Sequence, residues 1–180
     1  MGTSLSPAAE AQKGLAAYQS QDFPGAIQAF SLALQGYQNA GDLPAAAEVA
    51  NNLSVVYLRT GKKKEAWETV KDTDLVFASV GDKRRQAMAL GNQAAVLEEL
   101  RQVKAAIAKY EQCAELLKET GDQENRAAVM QSISKLQLAR RQPLDSLLAM
   151  QTALQNKPHL TLIDRVLKKL LQIVFRLWGF

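Results

Sequence analysis

The sequence predicts an all-α fold, an α-solenoid made of four two-helix repeats and one final amphipathic helix that caps them. Two observations predict this fold class. Of the 180 residues, 28 are Ala and 25 are Leu, which are among the strongest helix formers. The dipeptide Gly-Asp also recurs at an interval of 40 residues, at Gly41-Asp42, Gly81-Asp82 and Gly121-Asp122. A constant interval of this size indicates a repeat protein.

Each Gly-Asp pair is predicted to end one helix and to begin the next. Gly accepts the left-handed backbone conformation that follows many helices, and the Asp side chain can accept hydrogen bonds from the first amides of a new helix. Midway between these pairs, further turns precede fresh helical patterns, at Gln21-Asp22, Gly61-Lys62, Arg101-Gln102 and Arg141-Gln142. We therefore expect two helices of about 18 residues in each repeat.

These turns divide the chain into predicted segments. We assign residues 1–6 to an N-terminal tail, residues 7–156 to the repeat domain and residues 157–180 to the C-terminal amphipathic helix. The four repeats are assigned to residues 7–41, 42–81, 82–121 and 122–156. The N-terminus lacks the basic start and apolar run of a secretory signal, so we expect a cytoplasmic protein.

Small side chains recur at matching places in the four copies. The second helix of each repeat contains, in chain order, Ala26, Ala66, Ala106 and Ser146. The first helix contains a small residue twelve positions earlier, at Gly14, Ser54, Ala94 and Ser134. Small residues at fixed offsets let the two helices of a repeat approach closely, which favours tight helix-on-helix packing.

This arrangement resembles the tetratricopeptide repeat (TPR), and the second copy shows it best, through Leu53, Ser54, Tyr57, Gly61 and Ala66. The period exceeds the TPR period of about 34 residues, and the longer form is similar to the repeats of kinesin light chains and of adaptors that orient the mitotic spindle. The resemblance implies a right-handed solenoid. It also implies a concave groove, lined by the first helix of each repeat, that holds a partner peptide.

The same resemblance places candidate peptide contacts on the first helices. In the long-repeat proteins an Asn two positions before the small residue commonly clamps the backbone of a bound peptide, and Gln12, Asn52 and Asn92 occupy that position here. An amide suits this role because it offers both a donor and an acceptor. An alternative stays open, in which Asn52 and Asn92 tie neighbouring first helices together. The other predicted groove residues are Asn51, Arg59, Glu99 and Lys135.

The composition excludes most catalytic chemistry. Cys113 and His159 are the only Cys and His residues, so a disulfide framework and a Cys/His zinc site are excluded, and a Ser/His/Asp or Cys/His nucleophile pair would have to use this single His. We therefore expect no enzyme, no catalytic residue, no metal and no cofactor, and we expect Cys113 to be a small buried thiol. The basic clusters at residues 62–64 and 83–85 lack interleaved aromatic residues, so we expect no nucleic-acid partner.

The C-terminal segment has one apolar half and one charged half when it is plotted at about 100° per residue. Four basic residues of this segment, Arg165, Lys168, Lys169 and Arg176, supply most of the net charge of +4. Three uses of the helix stay open: a cap on the fourth repeat, a cap that also joins two copies into a homodimer, and a helix that lies on an anionic membrane surface. The predicted apolar face comprises Leu167, Leu170, Val174, Phe175 and Trp178.

The sequence thus predicts a non-catalytic scaffold or adaptor for protein–protein interaction, whose groove binds a partner peptide. The alternative is a membrane-peripheral or self-associating adaptor that works through its basic amphipathic C-terminal helix. Residues 1–6 also fit a short acylation pattern, which would add a second membrane anchor. Whether Gly2 is acylated stays open.

Overall fold

A computed structural model describes residues 5–139 and 143–177 of the chain. These residues form helices and turns and contain no strand, which confirms the all-α prediction. The predicted face residue Trp178 and the acylation candidate Gly2 lie outside the described residues. The helices are α1 (Pro7–Gln19), α2 (Phe23–Ala40), α3 (Leu43–Arg59), α4 (Lys63–Val70), α5 (Thr73–Ser79), α6 (Lys83–Glu99), α7 (Val103–Glu119), α8 (Gln123–Ala139), α9 (Pro143–Asn156) and α10 (Leu162–Leu177).

The joints between repeats have the predicted construction. After the last helical residue the chain enters the left-handed region, which Gly occupies without a Cβ clash. The next residue, Asp42, accepts a hydrogen bond at its Oδ1 from the amide of Ala45 at 3.1 Å, and Asp82 and Asp122 cap the following helices in the same way. The glycines at these joints are Gly41, Gly81 and Gly121, and together with Gly61, in the mid-repeat turn of the second repeat, they have φ between 71° and 75°.

Within residues 5–139, two turns place a residue other than Gly in the left-handed region. Gln21 has a φ of 63° and Arg101 a φ of 62°, and these two positions correspond to Gly61 in the second repeat. A side chain on this backbone conformation costs about 1 kcal/mol because its Cβ crowds the following carbonyl oxygen. The mid-repeat turns of the first and third repeats are therefore strained, whereas the turn at Gly61 is not.

The chain divides into two compact units, Met1–Ala106 and Ile107–Phe180. In the first unit, α1 packs on α2 and α2 packs on α3. A Cβ atom added to Gly14 would lie 2.6 Å from the ring of Phe30, so α1 and α2 approach as closely as the pattern of small residues predicts. The buried core around this contact comprises Ala26, Phe30, Ala33, Val49, Leu53 and Val56.

The second helix of the second repeat is broken, and the prediction of a single long helix is wrong there. Helix α4 ends at Val70 and α5 begins at Thr73. The carbonyl oxygen of Val70 accepts hydrogen bonds from Thr73 Oγ1 at 2.9 Å and from Gln93 Nε2 at 2.9 Å. In a continuous α-helix this carbonyl would accept from the amide four residues later. The two side chains replace that donor, and the break is thereby stabilised.

In the second unit, two serines join α8 to α9. Ser134 Oγ donates to the carbonyl oxygen of Ser146 at 2.9 Å, and Ser146 Oγ donates to the carbonyl oxygen of Ser134 at 3.0 Å. Both serines occupy predicted small positions, and their hydroxyl groups reach the opposite backbone because the two helices lie so close together. Helix α10 then packs on α9 and buries Leu171 and Phe175 against Leu154, so α10 covers the helix that precedes it.

Candidate functional site

The first unit contains a groove between α3 and α6, which are the first helices of the second and third repeats. Its volume is about 550 Å³. Three of the predicted groove residues, Arg59, Asn92 and Glu99, lie together in its wall. We call this depression the α3–α6 groove. Its lining residues are Ser54, Val55, Leu58, Arg59, Asn92, Ala95, Glu98 and Glu99.

Asn92, in the wall of this groove, is hydrogen-bonded to Asn51 on α3. Asn92 Nδ2 donates to Asn51 Oδ1 at 3.3 Å. The single hydroxyl hydrogen of Thr73 is shared between this oxygen, at 3.3 Å, and the carbonyl oxygen of Val70, at 2.9 Å. Asn51 Nδ2 donates to the carbonyl oxygen of Ala47 at 2.9 Å. The buried amide of Asn51 is therefore committed to internal hydrogen bonds. It holds the half-buried side chain of Asn92 in one orientation.

The tie between neighbouring first helices involves a different Asn from the predicted one. The predicted tie joins Asn52 and Asn92, but Asn51 makes the hydrogen bond to Asn92. Asn52 is half-buried on α3 and is not among the residues that line the groove. Its role in peptide contact stays a prediction.

The groove carries charged side chains of both signs at one end. Arg59 is exposed on α3, and Glu98 and Glu99 follow one another on α6. Lys63 Nζ lies 2.6 Å from Glu99 Oε2 and also donates to the backbone carbonyl oxygen of Glu99 at 2.9 Å. The hydrogen bond from Lys63, together with its positive charge, lowers the pKa of Glu99, and the Lys63 ammonium partly neutralises this carboxylate.

The remaining predicted groove residues lie elsewhere. Gln12 is exposed on α1 and is not among the residues that line the α3–α6 groove. Lys135 is exposed on α8, in the second unit. Their roles stay predictions.

A further residue, Gln93, follows Asn92 on α6 and is not among the predicted site residues. Its side chain is fully buried. The two hydrogens of its Nε2 are shared among three acceptors, Val70 O at 2.9 Å, Lys71 O at 3.0 Å and Asp74 Oδ1 at 2.6 Å. The repeat register offers a signal for this role, because the matching positions of the second and fourth repeats hold the buried apolar residues Leu53 and Ile133. An amide at an apolar register position indicates a buried polar contact.

The described residues contain no cluster of metal ligands, and the thiol of Cys113 is buried. Among residues 5–139 and 143–177, no three His, Cys, Asp or Glu side chains converge in a way that could hold a metal ion. Cys113 is buried on α7, as expected of a small residue at a packing position.

The structure sorts the predicted apolar face of the C-terminal helix into two parts. Leu167 and Phe175 pack toward α9, whereas Leu170 is 54% exposed. Val174 is half-buried between them. The predicted single face therefore consists of a packed stripe and an exposed one.

Within the part of the chain that the structure describes, none of the helices combines the length and the apolar content required to cross a membrane.

No protein-family model and no curated protein matches the chain. A solved structure is similar to it, the crystal structure of BtubC (BKLC) from P. vanneervenii, with a TM-score of 0.61 and 14% identity. The match covers 96% of this chain and 83% of that chain. At this identity the similarity shows the fold alone, a TPR-like helical-repeat fold of the α-solenoid class.

Proposed function

We propose that the protein is a non-catalytic, cytoplasmic scaffold or adaptor that binds a segment of a partner protein in the α3–α6 groove. Asn92 is the observation that carries this proposal. Asn51 fixes its amide, and the Oδ1 atom of Asn92 has no hydrogen-bond partner among the described residues. One amide hydrogen and one carbonyl oxygen of Asn92 are therefore available to a ligand in the groove.

This pair of groups matches the backbone of a peptide. A peptide unit presents one N–H and one C=O whatever its side chain, so a fixed amide can hold an extended segment without reading its sequence. The Asn92 side chain is already ordered in the free protein, so it loses little conformational entropy on binding, which favours binding.

Selectivity for one partner would come from the other groove residues. Val55, Leu58 and Ala95 supply apolar wall, against which an apolar side chain of the partner can pack. Arg59 on α3 would pair with an acidic side chain, and the carboxylate of Glu98 or Glu99 with a basic one. A partner segment with an apolar centre and charges of both signs fits this lining best.

We further propose that the repeats are of the long TPR kind found in kinesin light chains and spindle-orienting adaptors. The 40-residue interval, the left-handed glycine at each joint and the Asp cap that follows it support this assignment. The similarity to BtubC adds support at the level of the fold.

Site-specific photo-crosslinking tests the groove. A photoreactive amino acid at Ala95, inside the groove, is compared with the same group at Ala78, an exposed residue of α5 outside the groove. We expect one partner to be cross-linked from position 95 and not from position 78, and Asn92→Ala to weaken the cross-link. Equal labelling from both positions would show that the groove is not the binding site.

A further inference from the structure

Helix α10 carries two apolar stripes, and its packing uses only one of them. Leu167, Leu171 and Phe175 follow one another at intervals of four residues and face α9. Leu171 is 3% exposed and Phe175 is 5% exposed, so this stripe is buried where α10 caps α9.

The second stripe has no cover. It consists of Ile163, Val166, Leu170 and Ile173, which repeat at intervals of three and four residues and lie about 120° around the helix from the first stripe. Ile163 is 78% exposed, and the other three are 53% to 54% exposed. Single exposed apolar residues are ordinary, but a continuous stripe of them marks a surface that binds something. We call these four residues the exposed stripe.

The N-terminus of α10, which carries this stripe, is capped by side-chain hydrogen bonds. Thr161 Oγ1 accepts from the amide of Asp164 at 3.2 Å, and the Asp164 carboxylate accepts from the amide of Thr161 at 2.9 Å. This reciprocal pair is a capping box. The exposed stripe therefore begins within a well-ordered first turn.

The charges beside the exposed stripe are all positive. Arg165, Lys169 and Arg176 are exposed and border the stripe on the side away from Leu171. None of the three takes part in an ion pair with another described residue. The single acid of α10, Asp164, is already bound by Lys157 Nζ at 2.6 Å.

These charges decide what can cover the stripe. A second copy of α10 would bring the same cations together without any acid to pair them, and like charges at close range oppose association. The surface of an anionic bilayer offers both an apolar environment and negative charge. Its acyl chains accept the apolar residues, and its phosphates pair with the cations. A shallow cavity lined in part by Leu162, Val166, Arg165 and Lys169 shows this combination directly.

We propose that the exposed stripe of α10 and its three flanking cations dock the protein onto the surface of an anionic membrane. The cap stripe remains on α9, so docking requires no unfolding of the second unit. The docking surface is separate from the α3–α6 groove, and the two proposals stand or fall independently.

Vesicle co-sedimentation of the full chain tests this proposal. We use vesicles of phosphatidylcholine with about one third phosphatidylglycerol, and vesicles of phosphatidylcholine alone. The wild type should bind the anionic vesicles at least about tenfold more tightly, and added salt should weaken that binding. The double variant Val166→Glu/Ile173→Glu should lose binding by about tenfold or more while its helical content and melting temperature stay those of the wild type.

Two further variants complete the test. Leu75→Glu/Leu138→Glu adds the same charge at exposed residues outside α10 and should bind nearly as the wild type does. Arg165→Gln/Lys169→Gln keeps the stripe and should lose the preference for anionic lipid.

Three results would overturn the proposal. The wild type could fail to sediment with anionic vesicles, or Val166→Glu/Ile173→Glu could bind as tightly as the control variant. The wild type could also form a dimer, detected by analytical ultracentrifugation without lipid, that Val166→Glu/Ile173→Glu dissociates. In that case a second copy covers the stripe.

Discussion

Asn92 on α6 donates a hydrogen bond to Asn51 on α3 across 3.3 Å, and this contact joins two repeats at the wall of the α3–α6 groove. The two residues are 41 positions apart, one more than the repeat interval. Asn51 is buried and hydrogen-bonded through both its Oδ1 and its Nδ2, whereas Asn92 retains hydrogen-bonding capacity. One Asn thus positions another for an external ligand.

Replacing Asn92 with Ala should weaken partner binding on the order of tenfold, because the fixed amide is lost. The stability of the protein should fall by only about 0.5–1.5 kcal/mol, which is the usual contribution of one hydrogen bond. Calorimetric titration with the partner segment and thermal denaturation measure the two effects. The double variant Asn52→Ala/Asn92→Ala shows whether Asn52 adds to binding, and Gln123→Ala, which changes an exposed amide on α8, is the control. A large loss of stability with unchanged binding would mean that Asn92 is structural only.

Replacing Gln93 with Leu should destabilise the protein by about 1–3 kcal/mol, because the carbonyl oxygens of Val70 and Lys71 lose a buried donor. Leu has a similar size and occupies the matching position, Leu53, in the second repeat. Urea denaturation measures the change, and amide exchange should show faster opening of α4 and α5. Gln123→Leu provides an exposed control. If Gln93→Leu is as stable as the wild type, the broken helix does not depend on this side chain.

Replacing Gln21 with Gly should stabilise the protein by about 0.5–1 kcal/mol, because a left-handed residue loses its Cβ clash. Part of this gain is offset by the greater freedom of Gly in the unfolded chain. The reverse change at the matching turn, Gly61→Ala, should destabilise by a similar amount or more. Thermal denaturation of both variants tests the strain. A Gln21→Gly variant that is less stable than the wild type would contradict it.

The carboxylate of Asp164 makes the start of α10 sensitive to acid. The hydrogen bond from Lys157, followed by those from Thr161, lowers the pKa of Asp164 from its ordinary value of 3.8 to about 2. Because the folded state favours the ionised form, the contribution of Asp164 to stability is present above pH 4 and is lost as the pH falls toward 2. The stability difference between the wild type and Asp164→Asn should therefore shrink over this range.

A carbon-detected NMR titration of Asp164 checks the same contact directly. Lys157→Met should return the pKa of Asp164 part of the way toward 3.8, because the first cause of the shift is removed. A wild-type carboxyl group that titrates near 3.8 would show that the contact with Lys157 does not form in solution.

Much of the fold could be predicted from local patterns. The interval between Gly41, Gly81 and Gly121 located the joints, and the small residues located the helix contacts, such as Gly14 against Phe30. These features can be predicted from the sequence because each depends on the conformation of one turn or on the size of one side chain. The same register brought Arg59, Asn92 and Glu99 to a single groove.

Other features depend on contacts between residues far apart in the chain. The break between α4 and α5 requires Gln93, which lies 23 positions after Val70, to supply a donor to a carbonyl group. Similarly, Asn51 and Asn52 are adjacent and identical in type, and only the packing of α3 on its neighbours decides which of them is buried. No local propensity separates the two.

A repeat of 40 residues, its helical joints and an amphipathic C-terminal helix can be predicted from the sequence alone, because they follow from backbone conformation and side-chain periodicity. The division of the apolar side of that helix depends on its packing against α9. Leu171 and Phe175 are buried against Leu154, whereas Ile163 and Val166 remain exposed. A single neighbouring helix, α9, can cover only one side of α10. The exposed stripe lies on another side of α10, next to the three cations, and stays accessible to solvent.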